Sequence, residues 1–216
     1  MISFLTEGGP FMLLLLVASI FSATFIIERS WALRIHRIIP PSVAQALTTC
    51  RTRDDLPYLQ QICTEQSSVL GRLALTATDH LNGPRKENEQ AVQTRAKNEL
   101  LKMERGLVVL EVVVGISPLL GLIGTIYGLM ILFSGLGSQA EDAAFLARGI
   151  SIALNTTLMG LMVAIPSLTA WSYFNRKVEV LSVELESMCE EFLLRFYRLE
   201  RETMERERIR STRRGM

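Results

Sequence analysis

Residues 117–128 read Ser-Pro-Leu-Leu-Gly-Leu-Ile-Gly-Thr-Ile-Tyr-Gly, a run with three glycines and no charged side chain. The run lies within residues 106–136, where Glu111 is the single charged residue. About 20 consecutive apolar residues are enough for a helix to cross the hydrocarbon core of a bilayer, so this stretch predicts a membrane span. Gly124 and Gly128 form a small-xxx-small pair, and Gly121 lies one turn earlier. These glycines predict that a second helix packs closely against this one.

Two further apolar stretches flank the first. Residues 11–28 precede it with no charge before Glu28, and residues 149–174 follow it with no charge at all. Only residues 137–148 separate the second and third stretches, which predicts an antiparallel helical hairpin. No alternating strand pattern occurs elsewhere. The sequence therefore predicts an all-α integral membrane protein with three transmembrane helices.

The distribution of lysine and arginine predicts the orientation. Cations follow the first span, precede the second and follow the third, and the nearest to each span are Arg29, Arg34 and Arg37, then Lys102 and Arg105, then Arg176 and Lys177. By the positive-inside rule these ends lie in the cytoplasm. The short segment 1–10 is then periplasmic, the N-terminus is outside and the C-terminus is inside. Residues 29–105 and 175–216 form the cytoplasmic parts.

The cytoplasmic parts read as helices that continue from the second and third spans. Residues 67–81 and 85–105 have helical patterns, and the latter leads directly into the second span. After the third span, apolar residues recur at spacings of three or four, namely Leu181, Leu185, Met188, Phe192, Phe196 and Leu199. This stripe requires a partner, either helices of this chain or a neighbouring subunit. Residues 200–214 are mostly charged, which predicts a solvated, fraying helix or a disordered tail.

Composition excludes several classes of function. The chain has 216 residues, 49% of them hydrophobic, and a formal net charge of +1, which does not indicate a nucleic-acid-binding protein. Cys50, Cys63 and Cys189 are odd in number and lack C-x-x-C spacing, so we expect reduced thiols and no metal site. His36 and His80 lie outside the spans. No motif of a hydrolase, zinc peptidase or nucleotide-binding loop occurs, and we expect neither an enzyme nor a cofactor.

The third span contains the polar residues Ser151, Asn155, Thr156 and Thr157. At about 1.5 Å per residue, Thr125 of the second span lies about 6 Å beyond the membrane midplane. Thr157 lies about 7 Å from the midplane on the same outer side, by the same rise. The two hydroxyl groups are therefore predicted to lie at one depth, facing each other across the hairpin.

Two interpretations of these hydroxyls remain open from spacing alone. They form an interhelical hydrogen bond, or they line a hydrated ion path. Neither helix carries a carboxylate near mid-membrane, so a proton path would need an acid from another polypeptide. Glu111 lies near the cytoplasmic end of its span and is either an interfacial anchor or a proton exit group.

Two prolines and a further glycine are expected to shape the hairpin. Pro118 has no backbone N–H, so it frees a carbonyl group and can bend the second span. Ser117 beside it is expected to help satisfy that carbonyl. In the third span, Gly160 is expected to contribute to packing and Pro166 to helix shape.

The sequence as a whole resembles the MotA/TolQ/ExbB proton-channel family, most closely its ExbB/TolQ type. The resemblance rests on Gly8-Gly9-Pro10 before the first span, on residues 117–125, and on residues 149–157 with Gly160 and Ala164-Ile165-Pro166 after them. By position in these motifs, Thr125 and Thr157 match the family's two pore threonines. Ile152 departs from the family pattern, because typical ExbB and TolQ members have a glutamate there. A mechanism that needs a subunit-borne carboxylate is therefore in doubt, unless Asn155, Thr156 or Glu111 compensates.

The resemblance implies a function and a set of partners. It implies a homo-oligomeric ring, expected to be a pentamer, in the bacterial inner membrane. The ring would surround ExbD/TolR-like single-span helices that carry a membrane aspartate, and protons driven by the proton motive force would load and unload that aspartate. A TonB/TolA-like partner that spans the periplasm would receive the work, for transport or envelope integrity, and membrane lipids would surround the ring. The alternative is a passive oligomeric scaffold that recruits cytoplasmic partners, with which the glycine packing is equally compatible.

Overall fold

The computed structural model describes residues 9–135 and 143–214 of the chain. The helices are α1 (Gly9–Ala32), α2 (Ile35–Ile38), α3 (Pro41–Thr49), α4 (Leu56–Glu65), α5 (Val69–Asp79), α6 (Arg85–Glu104), α7 (Leu107–Gly135) and α8 (Ala143–Arg214). A short 3-10 turn, Arg53–Asp55, precedes α4. Within the two described ranges no residue is in a β-strand, and the predicted all-α fold is confirmed.

Three of these helices, α1, α7 and α8, are long and apolar enough to cross a membrane, as predicted. The third is continuous from its apolar part through residue 214, so the charged segment 200–214 is helical. The second begins at Leu107, because Arg105 and Gly106 form a turn between α6 and α7. Of the predicted connection, residues 137–142 lie outside the described ranges, and residues 143–148 are already helical.

The chain divides into two compact units. We call the first the span unit, Met1–Trp31 with Arg105–Asn175, and the second the bundle unit, Ala32–Glu104 with Arg176–Met216. α8 contributes residues to both units.

In the span unit, α1 packs against the α7–α8 hairpin. The rings of Phe11 and Tyr127 meet edge to face with their centroids 5.7 Å apart, and Met12 and Leu15 are fully buried. Most other large apolar side chains of the unit point outward. Leu122 and Met162, for example, are 56% and 60% exposed. Such surfaces are stable only against lipid or another protein.

In the bundle unit, α3 to α6 pack with the C-terminal half of α8 around one apolar core. Most of the predicted stripe on α8 is buried there. Leu181, Leu185, Phe192 and Phe196 are at most 3% exposed, whereas Met188 and Leu199 are half-buried. The stripe therefore finds its partner within this chain. The three cysteines are buried free thiols, and burial raises the pKa of Cys63 to about 11. Thiols with such a pKa are poor nucleophiles near neutral pH.

A buried carboxylate ties α5 to α6. The side chain of Glu99 is 2% exposed and accepts hydrogen bonds from Arg72 Nη2 at 2.6 Å and Lys102 Nζ at 2.9 Å. Arg95 Nη2 lies 3.5 Å from the same carboxylate. Burial alone would raise the pKa of Glu99, but the hydrogen bonds and charges of Arg72 and Lys102 outweigh it and lower the pKa to about 2. Glu99 is therefore held in its charged form.

Candidate functional site

Close backbone contact joins α7 and α8 along what we call the glycine seam, formed by Gly121, Gly124, Gly128, Gly149 and Gly160. A Cβ atom built on Gly160 would lie 2.7 Å from the Ser117 carbonyl oxygen and 3.1 Å from Gly121 Cα. A Cβ atom on Gly128 would lie 2.8 Å from the Gly149 carbonyl oxygen. Because these neighbours are backbone atoms, a side chain at Gly128 or Gly160 would push the helices apart.

Thr156 is part of this seam. It is fully buried, and its methyl group fills the space beside Gly124, where a built Cβ atom would clash with Thr156 Cγ2. Its hydroxyl donates to the Ile152 carbonyl of its own helix. Thr156 therefore packs the two helices together and presents no polar atom outward.

The hydroxyl groups of Thr125 and Thr157 are also bonded to carbonyls of their own helices, and that of Thr157 additionally lies near a carbonyl of the other helix. Thr125 Oγ1 donates to the Leu122 carbonyl at 2.6 Å. Thr157 Oγ1 lies 3.2 Å from the Ala153 carbonyl and 3.4 Å from the Gly121 carbonyl across the seam. Both residues are half-buried, and among the described hydrogen bonds none joins the two hydroxyls directly.

Thr125 and Thr157 lie on one side of the hairpin. Successive residues of an α-helix are rotated by about 100° around the helix axis. By this count the Thr125 side chain points about 70° away from the mean direction of the seam glycines on α7. The Thr157 side chain points about 70° away from the seam glycines on α8, by the same count. Because the helices run antiparallel, equal offsets in the same rotational sense point to the same side. We call this side, defined by Thr125 and Thr157, the hydroxyl flank.

Glu111 and Pro118 belong to the same strip of α7. They precede Thr125 by fourteen and seven residues, and seven residues make nearly two full turns of a helix. Glu111 is exposed and lies about 21 Å along the helix axis from Thr125, at the start of α7. The strip therefore leads from a carboxylate at the α7 N-terminus to the hydroxyl of Thr125.

Ser151 and Asn155 lie on the opposite side of α8. Asn155 Nδ2 donates to Ser151 Oγ at 3.2 Å, and both residues are half-buried. About 100° per residue places them roughly 130° to 170° from the glycine seam, among exposed apolar residues such as Leu158. The four neighbouring polar residues of the third span thus fall on different faces, which their proximity in sequence does not reveal.

The two prolines are accommodated without ending either helix. α7 continues through Pro118 and α8 through Pro166, which is exposed. The expectation that Ser117 would satisfy the carbonyl freed by Pro118 is wrong, because the Ser117 hydroxyl is buried and makes no hydrogen bond with the described protein atoms.

One polar contact of the span unit is absent from the sequence-based predictions. Ser22 Oγ of α1 lies 2.6 Å from Ser167 Oγ of α8, and both residues are buried. Single serines in apolar helices are usually bonded to their own backbone, so the sequence gives little signal for such a pair. It is a direct polar contact between α1 and α8.

Titratable groups and metal ligands are scarce around the hydroxyl flank. Residues 112–140 and 149–178 contain no aspartate or glutamate. Ile152, at the position where the resemblance leads one to expect glutamate, is 6% exposed. In the described parts of the chain no three histidine, cysteine, aspartate or glutamate side chains converge to hold a metal ion. The site therefore offers hydroxyls and carbonyls but no acid of its own at mid-span.

The fold and the site define an all-α protein with three helices long and apolar enough to span a membrane, in which a tightly packed hairpin carries hydroxyl groups along one flank. The sequence profile of the MotA/TolQ/ExbB proton channel family matches residues 65–187, more than half of the chain, and the chain belongs to that family. The resemblance found in its motifs is thereby confirmed.

Known relatives agree with this assignment. The chain is 31% identical to a biopolymer transport protein ExbB homologue of Methanothermobacter thermautotrophicus over 175 residues, which are 80% of this chain and 62% of that protein. It is 34% identical to an ExbB-like biopolymer transport protein of Synechocystis over 165 residues, or 74% and 64% of the two chains. TolQ of the Pseudomonas aeruginosa Tol-Pal system is 36% identical over 104 residues, or 48% and 45%. The chain thus spans less than two thirds of the length of these relatives.

Proposed function

We propose that this chain is an ExbB/TolQ-like subunit of a motor in the bacterial inner membrane, driven by the proton motive force. Five copies would form a ring around ExbD/TolR-like helices and conduct protons beside them. The chain would have its N-terminus outside and its C-terminus in the cytoplasm. A TonB/TolA-like partner would carry the work to the periplasm or the outer membrane.

The observation that carries this proposal is the hydroxyl flank. Thr125 and Thr157 are half-buried, uncharged and on one side of the hairpin, next to exposed apolar residues that require contact with lipid or protein. A hydroxyl group both donates and accepts hydrogen bonds, so it can contact a carboxyl group in its protonated and its ionised state. That property suits a surface past which a titrating acid moves.

The acid itself is expected on another polypeptide. Since residues 112–140 and 149–178 contain no carboxylate, the second and third spans lack a proton acceptor near mid-membrane. An aspartate on an ExbD/TolR-like helix would take up a proton from the outer side and release it toward the cytoplasm. Loss of its charge in the neutral state lowers the penalty of passing the apolar parts of the ring, and recovery of the charge holds it near hydroxyls or water.

The test is a proton-leak measurement with a matched control. The chain is expressed with its single-span partner, and cytoplasmic pH is followed after an imposed proton gradient. We expect a partner-dependent leak that Thr157→Val abolishes, because valine keeps the shape of threonine without its hydroxyl. Thr169→Val serves as the control, since Thr169 is exposed and bonds only to the Ile165 carbonyl of its own helix at 3.0 Å; it should conduct like wild type.

Two results contradict the proposal. A partner-dependent leak unchanged by Thr157→Val removes Thr157 from the path. Failure of the single-span protein to co-purify with the chain from the same membranes contradicts the assembly, and favours the passive scaffold. A scaffold built on the glycine seam would tolerate Thr157→Val without any change in proton movement.

A further inference from the structure

Most hydroxyl groups in the apolar helices of the span unit are bonded to their own backbone. Thr125 donates to Leu122, Ser134 to Ile131 and Ser167 to Val163, at 2.6, 2.9 and 2.6 Å. Ser117 is different. Its side chain is 0% exposed, and its hydroxyl has no hydrogen-bond partner among the described protein atoms.

A second polar group without its usual partner lies one turn away. Pro118 has no N–H, so the Val114 carbonyl cannot receive the regular helical hydrogen bond from residue 118. Val114 and Ser117 are three residues apart, which places them on neighbouring positions of the same helix face. Within a bilayer an unsatisfied polar group is costly, because no bulk solvent can replace the missing bond.

The position of Ser117 relates it to the hydroxyl flank. Its own carbonyl lies against Gly160 in the seam, where a Cβ atom on Gly160 would approach to 2.7 Å. One turn further along α7 is Gly121, whose carbonyl lies 3.4 Å from Thr157 Oγ1. Ser117 is therefore the next polar side chain after Thr157 in the direction of Glu111.

We propose that Ser117 Oγ and the Val114 carbonyl hold one ordered water molecule at the α7–α8 seam, and that this water continues the proton path from Thr157 toward Glu111. Ordered water is one of the ways in which proline-containing membrane helices satisfy freed carbonyls. The second half of the proposal rests on the proposed function, whereas the first half does not.

In this arrangement the water carries the proton and Ser117 orients the water. The bound water accepts a proton on its oxygen from a donor on the Thr157 side, and one of its other two protons leaves toward the Glu111 side. No net charge or atom remains behind. The Ser117 hydroxyl stays intact and acts as a positioning group, while the Val114 carbonyl accepts one hydrogen of the water.

The water site is tested by a cryo-electron-microscopy map of the chain in lipid nanodiscs, at a resolution that shows ordered water. We expect density within hydrogen-bond distance of both Ser117 Oγ and the Val114 oxygen in the wild type, and its loss in Ser117→Ala. A map in which the Ser117 hydroxyl bonds directly to a carbonyl of α7, with no water between, would overturn the proposal.

The role in conduction is tested by comparing Ser117→Ala with Ser134→Ala at equal membrane levels. Ser134 is exposed and bonds to its own helix, so its loss should leave the leak unchanged. We expect Ser117→Ala to slow the partner-dependent leak about fivefold, the factor that one ordinary hydrogen bond produces.

If Thr157→Val stops the leak but Ser117→Ala conducts like wild type, the relay role is wrong and the proposed function stands. If the wild type conducts nothing with its partner, the proposed function fails together with the relay, and the map alone decides the water site.

Discussion

The span unit and the bundle unit bury polar groups in opposite ways. In the bundle unit the buried carboxylate of Glu99 is surrounded by cations, with Arg72 Nη2 at 2.6 Å and Lys102 Nζ at 2.9 Å. In the span unit the buried and half-buried polar groups described on α7 and α8 are uncharged hydroxyl, amide and carbonyl groups, such as Thr157, Asn155 and the Gly121 carbonyl. One unit fixes a charge permanently, and the other provides polar contacts without any charge.

The difference separates a fixed structural charge from a surface without charge. With a pKa lowered to about 2, Glu99 stays ionised at every pH a living cell experiences, so it is a structural charge. Residues 112–135 and 149–175, which include Thr125 and Thr157, contain no charged side chain, so under the proposed function the carboxyl group of a partner would govern the electrostatics of that surface. The Glu99 cluster therefore stabilises the bundle unit, whereas the hydroxyl flank would, under the proposed function, contact a titrating acid.

Breaking the glycine seam should have the largest effect. In Gly160→Val the new side chain would begin 2.7 Å from the Ser117 carbonyl oxygen, a backbone atom that cannot rotate away. We expect the hairpin to lose about 3 kcal/mol of unfolding free energy, the upper part of the range for overpacked sites. The measurement is equilibrium unfolding in mixed micelles, followed through helix separation between labels on α7 and α8.

The matched control for this variant is Gly115→Val. Gly115 lies on the same helix as the seam, but a Cβ atom built there meets nothing within 4 Å. It should unfold like the wild type, apart from the small propensity difference between glycine and valine. Equal destabilisation by both substitutions would show that glycine acts through helix flexibility and would remove the seam from the explanation.

Removing the buried charge of the bundle unit should have the next largest effect. Glu99→Gln leaves Arg72 and Lys102 without their counter-charge and turns an amide group toward them. Since the Arg72 side chain is 33% exposed, we expect a loss of about 2 kcal/mol, below the full value for a completely buried pair. The measurement is hydrogen exchange of α5 and α6 amides in the full-length protein.

The pH dependence of the same exchange gives a second readout. Because the folded-state pKa of Glu99 is lowered to about 2 from an ordinary 4.5, its contribution is complete above pH 4.5 and is lost as the pH falls toward 2. Protection of α5 and α6 should therefore fall below pH 4.5 in the wild type, and this part of the fall should be absent in Glu99→Gln. The exposed Arg85–Glu89 pair is the control, and Glu89→Gln should change stability by less than about 0.5 kcal/mol. A comparable loss in both variants would contradict the special role of the buried carboxylate.

The sequence was sufficient to predict the spans, because long apolar runs have few alternatives in structure. It also predicted that the α8 stripe from Leu181 to Leu199 needs a partner. It did not reveal whether that partner is internal, since the apolar stripe on α8 is equally suited to another subunit. The core formed by α3 to α6 answers that question, and depends on contacts between residues far apart in the chain.

For the candidate site, too, the sequence predicted less than the packed helices show. Spacing placed Thr125 and Thr157 at one depth, and the helical period places them on one flank. The period also separates Ser151 and Asn155 from Thr157, although all lie within seven residues. Which face a polar residue occupies depends on where the glycine seam lies, and only the packed hairpin fixes that. That the Ser117 hydroxyl has no hydrogen-bond partner among the described protein atoms depends on its rotamer and on the packing around it, and neither can be predicted from the sequence.

The smallest expected effect concerns the contact between Ser22 of α1 and Ser167 of α8. Ser167 Oγ already donates its hydrogen to the Val163 carbonyl at 2.6 Å, so in the Ser22–Ser167 contact Ser22 must be the donor. Ser22→Ala therefore leaves Ser167 satisfied and should reduce the unfolding free energy by only about 0.6 kcal/mol, typical of interhelical hydrogen bonds in membranes. Ser167→Ala removes the acceptor of a buried donor and should cost more, about 1 to 2 kcal/mol. Micelle unfolding of the two variants side by side measures this asymmetry. Equal losses would mean that Ser22 finds a substitute acceptor on its own helix, and that uncharged contacts in the span unit are replaceable in a way that the Glu99 cluster is not.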